Sequence, residues 1–88
     1  MLLLFVIKLE NNISEKIIEI LKKLNVNIDN PTSNFIEENN IDSITFIQII
    51  IDIEVEFSIL IPDEYLLMEG FNTVSEITNI VEKLINIK

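Results

Sequence analysis

The 88-residue chain contains no cysteine, histidine, arginine or tryptophan, one glycine and two prolines. Each absence closes off a chemistry. Without cysteine there is no disulfide, no thiolate nucleophile and no thiolate-ligated zinc. Without histidine no imidazole can act as general base or metal ligand, so a hydrolytic triad would have to rely on carboxylates and lysines. Positive charge is scarce as well: six lysines face fifteen acids, for a net charge of −9. Such a surface repels nucleic acid and anionic lipid and favours a basic protein partner. The expectation is a non-catalytic chain that another protein acts upon. No apolar run reaches the roughly 18–20 residues of a membrane span. The opening "MLLLFVI" has no basic stretch before it and no small-residue cleavage site after it, which makes a poor signal peptide. A reducing, cytoplasmic setting is expected.

What is present is apolar. Hydrophobic residues make up 49% of the chain, and the mean hydropathy is +0.42. That suffices for one small core without covalent staples. A domain of this size buries only about 60–65% of its unfolded surface, so a deep substrate cleft is not expected.

Ile13, Ile17, Ile20, Leu21 and Leu24 fall on one helical face and predict a first helix over about 13–24, with Asn12 and Glu15 as a capping box. Leu9 and Val6 continue the phase backwards, which admits either an extension of that helix or a separate strand or tail. From Asn25 to Asn40 the periodicity is lost. Pro31 and the asparagines mark a long loop, with Phe35, Ile36 and Ile41 as candidates to pack onto the core. A second long helix begins at Asp42 or Ser43, either of which can cap it, and runs through Phe57. Pro62 ends that region and opens a short helix over about 63–68, with Gly70 as its C-terminal cap. Thr73 and Glu76 cap the last helix, whose inner face is Val74, Ile77, Val81 and Leu84. The prediction is an all-α bundle of three longer helices, one short helix and a long first loop.

The helix after Asp42 carries two apolar stripes. At 100° per residue, Phe46, Ile49, Ile50, Ile53 and Phe57 form a core face, while Ile44, Ile47, Ile51 and Val55 form another. The second stripe is either covered by the long loop and the short helix, or it is a contact surface rimmed by acids. Ser43, at the head of this helix, is on position alone a helix cap.

From Phe35 onwards the chain resembles an acyl carrier protein, on four ordered elements. These are Asp42-Ser43-Ile44 at the helix start, Glu54-Val55-Glu56-Phe57 at its end, Ile61-Pro62-Asp63-Glu64, and Thr73-Val74. Asn40 stands where a glycine is frequent, and Thr45 and Gln48 stand where acids are common. The resemblance implies a small four-helix bundle over residues 9–88, with 1–8 an apolar N-terminal segment of unassigned role. It also implies that a phosphopantetheinyl transferase moves 4′-phosphopantetheine from coenzyme A, with magnesium, onto Ser43 as a phosphodiester. The arm's thiol would then carry an acyl or related chain as a thioester. Asp42, Ile44, Ile47, Ile51, Glu54 and Glu56 would form the recognition face for enzymes with basic docking patches. On this reading the protein is a monomeric acyl carrier of fatty acid, polyketide or related synthesis. Two alternatives stay open: an aminoacyl or peptidyl carrier of a peptide-synthetase or D-alanyl pathway, and an unmodified helical interaction module. No metal site is expected. The calcium-loop pattern is missing, and Asp52, Glu54 and Glu56 lie on a helix rather than a coordinating turn.

Overall fold

In the computed structural model the backbone is described for residues 2–67 and 70–87, and side-chain surroundings for 12–66 and 70–86. Five helices and no strand occur among the described residues: α1 Leu2–Lys23, α2 Phe35–Glu38, α3 Ser43–Phe57, α4 Asp63–Leu67 and α5 Val74–Ile87. The all-α bundle expected from periodicity is the fold. α1 packs against α5 and, less extensively, against α3.

Two local expectations are corrected. The Asn12–Glu15 capping box does not start a helix, because α1 already begins at Leu2 and passes through both residues. Neither proline nor glycine lies between Leu2 and Lys23, so nothing interrupts propagation once the helix has nucleated. The long loop also holds a further short helix, α2. Its signal was present in the sequence: the Asn34 side chain accepts a hydrogen bond from Glu37 N at 3.1 Å, an Asn-x-x-Glu start with two acids in the first turn. The chain from α4 towards Gly70 passes through residues 68 and 69, outside those described. A Cβ at Gly70 would meet nothing within 4 Å, so space does not demand glycine there.

With one glycine in the chain, asparagine terminates helices instead. Asn25 (φ 63°) and Asn40 (φ 50°) both adopt the left-handed conformation. After α1, Val26 N donates to Leu21 O at 2.9 Å and Asn25 N to Lys22 O at 3.0 Å. After α2, Ile41 N donates to Ile36 O at 3.0 Å and Asn40 N to Glu37 O at 3.2 Å. Both are paired 6→1 and 5→2 closures that satisfy the last carbonyls of a helix. Asparagine fills them because its short polar side chain tolerates the left-handed region. After α3, Ser58 (φ 53°) is also left-handed, and its N–H and that of Ile59 both donate to Glu54 O.

Among the described residues the core is aliphatic with two buried phenylalanines, Phe35 and Phe71. Ile13, Ile17, Ile20 and Leu21 enter it from α1, Ile49, Ile50 and Ile53 from α3, and Val74, Ile77, Ile80 and Val81 from α5. Phe46 meets Phe71 edge-on, with centroids 6.0 Å apart at 86°. Between α1 and α5 the Ser14 and Thr78 hydroxyls lie 3.1 Å apart. Thr78 Oγ1 donates its proton to Val74 O at 2.8 Å, so Ser14 is the donor of the pair. The capping box of α5 forms as expected: Glu76 N donates to Thr73 Oγ1, and Thr73 N to Glu76 Oε1, each at 3.1 Å.

The loop between α1 and α3 is tied down rather than free. Asn39 takes Asn27 N on its Oδ1 at 2.9 Å and donates Nδ2 to Asn27 O and Phe35 O, both at 2.9 Å. Phe35 N donates to Asn72 O at 3.1 Å, and Ser75 N to Pro31 O at 2.9 Å. These bonds hold the loop against the entry to α5 and so place the start of α3.

Candidate functional site

The cap of α3 comes from Asp42, not Ser43. The Asp42 backbone is extended (φ −84°, ψ 173°), and its Oδ1 accepts from Thr45 N at 2.8 Å. The Asp42 carbonyl accepts from Phe46 N at 2.9 Å. Hydrogen bonds from Thr45, its backbone N–H first, hold the Asp42 carboxyl below its ordinary range. The sign of the linkage follows. A lowered folded-state pKa means that the carboxylate stabilises the fold above its unfolded pKa, and that this contribution is lost as pH falls through the folded value. The gap in thermal midpoint between the parent and Asp42→Ala is therefore expected to be full near neutral pH and to close on acidification below the carboxylate range. Melting curves across that pH series read it, and a gap independent of pH would assign the cap's effect to packing instead.

With the cap assigned to Asp42, Ser43 is the first residue inside the helix. Its side chain is exposed, and no hydrogen bond ties its hydroxyl to another described residue. The amides of Ser43 and Ile44 are likewise without a partner among the described residues, since the first two amides of a helix lie before its internal bonds begin. An exposed hydroxyl beside unpaired amides at a helix N-terminus suits a phosphodiester. The residues present fit a phosphate-linked group.

Below Ser43 the second stripe lies open. Ile44 is 79% exposed, Ile47 55%, Ile51 44% and Val55 74%. Neither the long loop nor α4 covers it, while Ile49, Ile50 and Ile53 on the opposite face are buried. Leu60, 84% exposed, was not singled out from sequence. It lies between buried Ile59 and Ile61 in a segment running up to Pro62. An alternation that turns every second side chain outward was its available signal.

The acids do not all face solvent alike. Glu54 is half-buried, and its Oε2 accepts from Ile61 N at 2.8 Å, so it braces the connection to α4. Gln48 Nε2 donates to Asp52 Oδ1 at 2.8 Å. Asp52, Val55 and Glu56 border an open groove of about 370 Å³ against Ile20 and Lys23 of α1. No group of side chains able to hold a metal ion occurs among the described residues.

The family model described as "Phosphopantetheine attachment site" matches residues 12–81, most of the chain. The protein belongs to that family. Its members are carrier proteins with covalently attached 4′-phosphopantetheine, so this chain is a phosphopantetheine carrier protein that interacts with transferase and synthase enzymes. Comparisons with curated proteins and with solved structures returned no match. Among the described residues no helix is long and apolar enough to cross a membrane. The family match begins at residue 12, ten residues after α1 does.

Proposed function

We propose that Ser43 is the attachment residue and that the chain carries acyl or related cargo for fatty acid, polyketide or related synthesis. The observation that carries this reading is the exposed, unbonded Ser43 hydroxyl at the head of an uncovered aliphatic stripe, within a chain of the carrier family. The bound arm supplies a thiol on a long tether, which holds cargo as a thioester and raises its effective concentration at each enzyme that docks the carrier.

The chain's own residues do the positioning. Asp42 caps α3 and so sets the direction in which Ser43 leaves the helix. The Ser43 and Ile44 amides would hold the phosphodiester. Ile44, Ile47 and Ile51, with Glu54 and Glu56 at the far end, are the recognition face that partner enzymes read. The carrier unit is residues 9–88, preceded by the apolar segment 1–8, to which no role is assigned. The neutral first half of α3, with Thr45 and Gln48 where acids are common in the family, favours a specialised pathway over general fatty acid synthesis. A protein without cysteine whose cargo hangs from a thiol fits a reducing, cytoplasmic setting.

Intact-mass measurement after incubation with coenzyme A, magnesium and a broad-specificity phosphopantetheinyl transferase tests the reading. The expected result is the gain of one phosphopantetheine, with peptide fragmentation locating it on Ser43. A gain on another residue would refute the assignment of Ser43. No gain with several transferases would favour an unmodified interaction module.

A further inference from the structure

We propose that Asn39 is a positioning residue for loading: its side-chain amide clips the turn after α1 to the end of α2, and that clip sets where Ser43 stands when the arm is transferred. This rests on the reading of Ser43 as the attachment residue and names what holds that residue in place.

The core does not hold the first turn of α3. Ser43 and Ile44 are exposed, and the first buried residue of the helix is Ile49, about 9 Å further along the axis. Packing at Ile49, Ile50 and Ile53 fixes the middle of α3, so its head is set by the chain that enters it. That chain is short. Asn40 is left-handed at φ 50°, Ile41 N donates to Ile36 O at 3.0 Å, and Asp42 is engaged by Thr45 N. A connection so constrained has little slack to absorb a movement at Asn39.

Asn39 is half-buried, and its amide is engaged at both ends. Oδ1 accepts from Asn27 N, and Nδ2 donates to Asn27 O and Phe35 O, each at 2.9 Å. Pairing with both backbone groups of Asn27 fixes a direction as well as a distance. The remaining bond returns to α2, whose first residue, Phe35, is buried and donates its N–H to Asn72 O at 3.1 Å. α2 is thus pinned at its start to the entry of α5 and at its end to the turn after α1. α3 departs from the second of these pins.

In loading, Ser43 Oγ bonds to the phosphorus that carries the arm, and the phosphoanhydride bond of coenzyme A breaks. The adenosine bisphosphate leaves with the electron pair, and the hydroxyl proton goes to a base of the transferase. Such a step is sensitive to placement: about 1 Å of displacement at a reacting atom costs on the order of a hundredfold. Loss of the clip moves the hydroxyl but changes no side chain of α3, so it acts on the transfer step more than on carrier binding.

The test is single-turnover loading by a broad-specificity phosphopantetheinyl transferase in excess, with coenzyme A and magnesium, read by intact mass. Parent, Asn39→Ala and Val81→Ala are compared at a temperature where circular dichroism shows all of them folded. Val81 is buried on α5 and takes no part in the clip, so its variant controls for lost stability alone. Asn39→Ala is expected to slow loading about tenfold at saturating transferase, with the half-saturating concentration changed less than about threefold. Val81→Ala is expected to load within about twofold of the parent despite a lower melting midpoint. An Asn39→Ala rate within about twofold of the parent, or an equal slowing in Val81→Ala, overturns the proposal and leaves Ser43 as the attachment residue.

Should Asn39→Ala fail to fold, amide hydrogen exchange on the parent decides. If the clip places the head of α3, the clip cannot open while the cap stays shut. Asn27 N, bonded to Asn39, is then expected to exchange no faster than Thr45 N, bonded to Asp42. Exchange at Asn27 about tenfold faster than at Thr45 overturns the proposal. No mass gain in the parent, or a gain on another residue, removes the attachment reading and this proposal with it.

Discussion

Ser43→Ala is expected to abolish phosphopantetheine loading completely while leaving the fold at least as stable as the parent. The two halves of that result come from different atoms. Loading needs the hydroxyl oxygen, and alanine has none. The fold does not use it, because Asp42 supplies the cap through Thr45 N and no described residue bonds to Ser43 Oγ. Alanine also has the higher intrinsic helix propensity, by a few tenths of a kcal/mol at about 0.5 at most. Intact mass after transferase treatment and thermal melts of the two proteins read the two halves. Were Ser43 a cap, the pattern would invert: the melting midpoint would fall, and loading elsewhere on the chain would persist. Asp42→Ala provides the contrast, since it is expected to lower the midpoint while keeping the hydroxyl.

Phe35→Ala is expected to have the largest effect on stability, with a loss of about 3–5 kcal/mol. At roughly 0.05–0.15 kcal/mol per residue, an 88-residue domain has about 4–13 kcal/mol in total, so the variant gives up roughly a quarter or more of it. Phe35 is fully buried although it sits in the connection between α1 and α3. Its backbone belongs to the same anchor, with N bonded to Asn72 O and the carbonyl accepting from Asn39. Removing the ring opens a cavity beneath the segment that leads into α3. Phe35→Leu keeps most of the volume and is expected to cost about 1–1.5 kcal/mol. Urea denaturation of the three proteins measures both differences. A loss below about 1 kcal/mol for the alanine variant would show that the connection does not rely on this side chain. Loading of a folded Phe35→Leu protein is expected to match the parent, because Phe35 makes no part of the Ser43 surface.

The helices were legible wherever strong periodicity met a cap. Thr73 with Glu76 located the start of α5, the pair Asp42 and Ser43 that of α3 without deciding which of them caps it, and Pro62 the break between α3 and α4. These are interactions over three or four residues, and short-range geometry decides them. The same locality misled at Asn12 and Glu15, where a capping pattern sits inside α1. A cap motif lowers the cost of ending a helix without requiring that it end, and the residues before it are good helix formers. α2 was missed for the opposite reason. A four-residue helix has no periodicity to detect, and only its Asn34–Glu37 start could have betrayed it.

Sequence alone determined the candidate attachment hydroxyl, the family likeness and the existence of two apolar stripes on α3, since each depends on residue identity and spacing. Which stripe is buried was decided by tertiary structure. Periodicity gives the angle between two faces of a helix, but burial depends on what arrives from elsewhere in the chain: α1 packs on α3, whose Ile49, Ile50 and Ile53 join the same core as Phe35, and nothing described closes over Ile44, Ile47 and Ile51. Tertiary structure likewise turned Glu54 from a free surface acid into a brace, because its partner amide at Ile61 lies across a turn whose path only folding sets. The acids of α3 could be counted in the sequence, but which of them stand open to solvent could not, since Glu54 turns in to Ile61 N while Glu56 stays exposed.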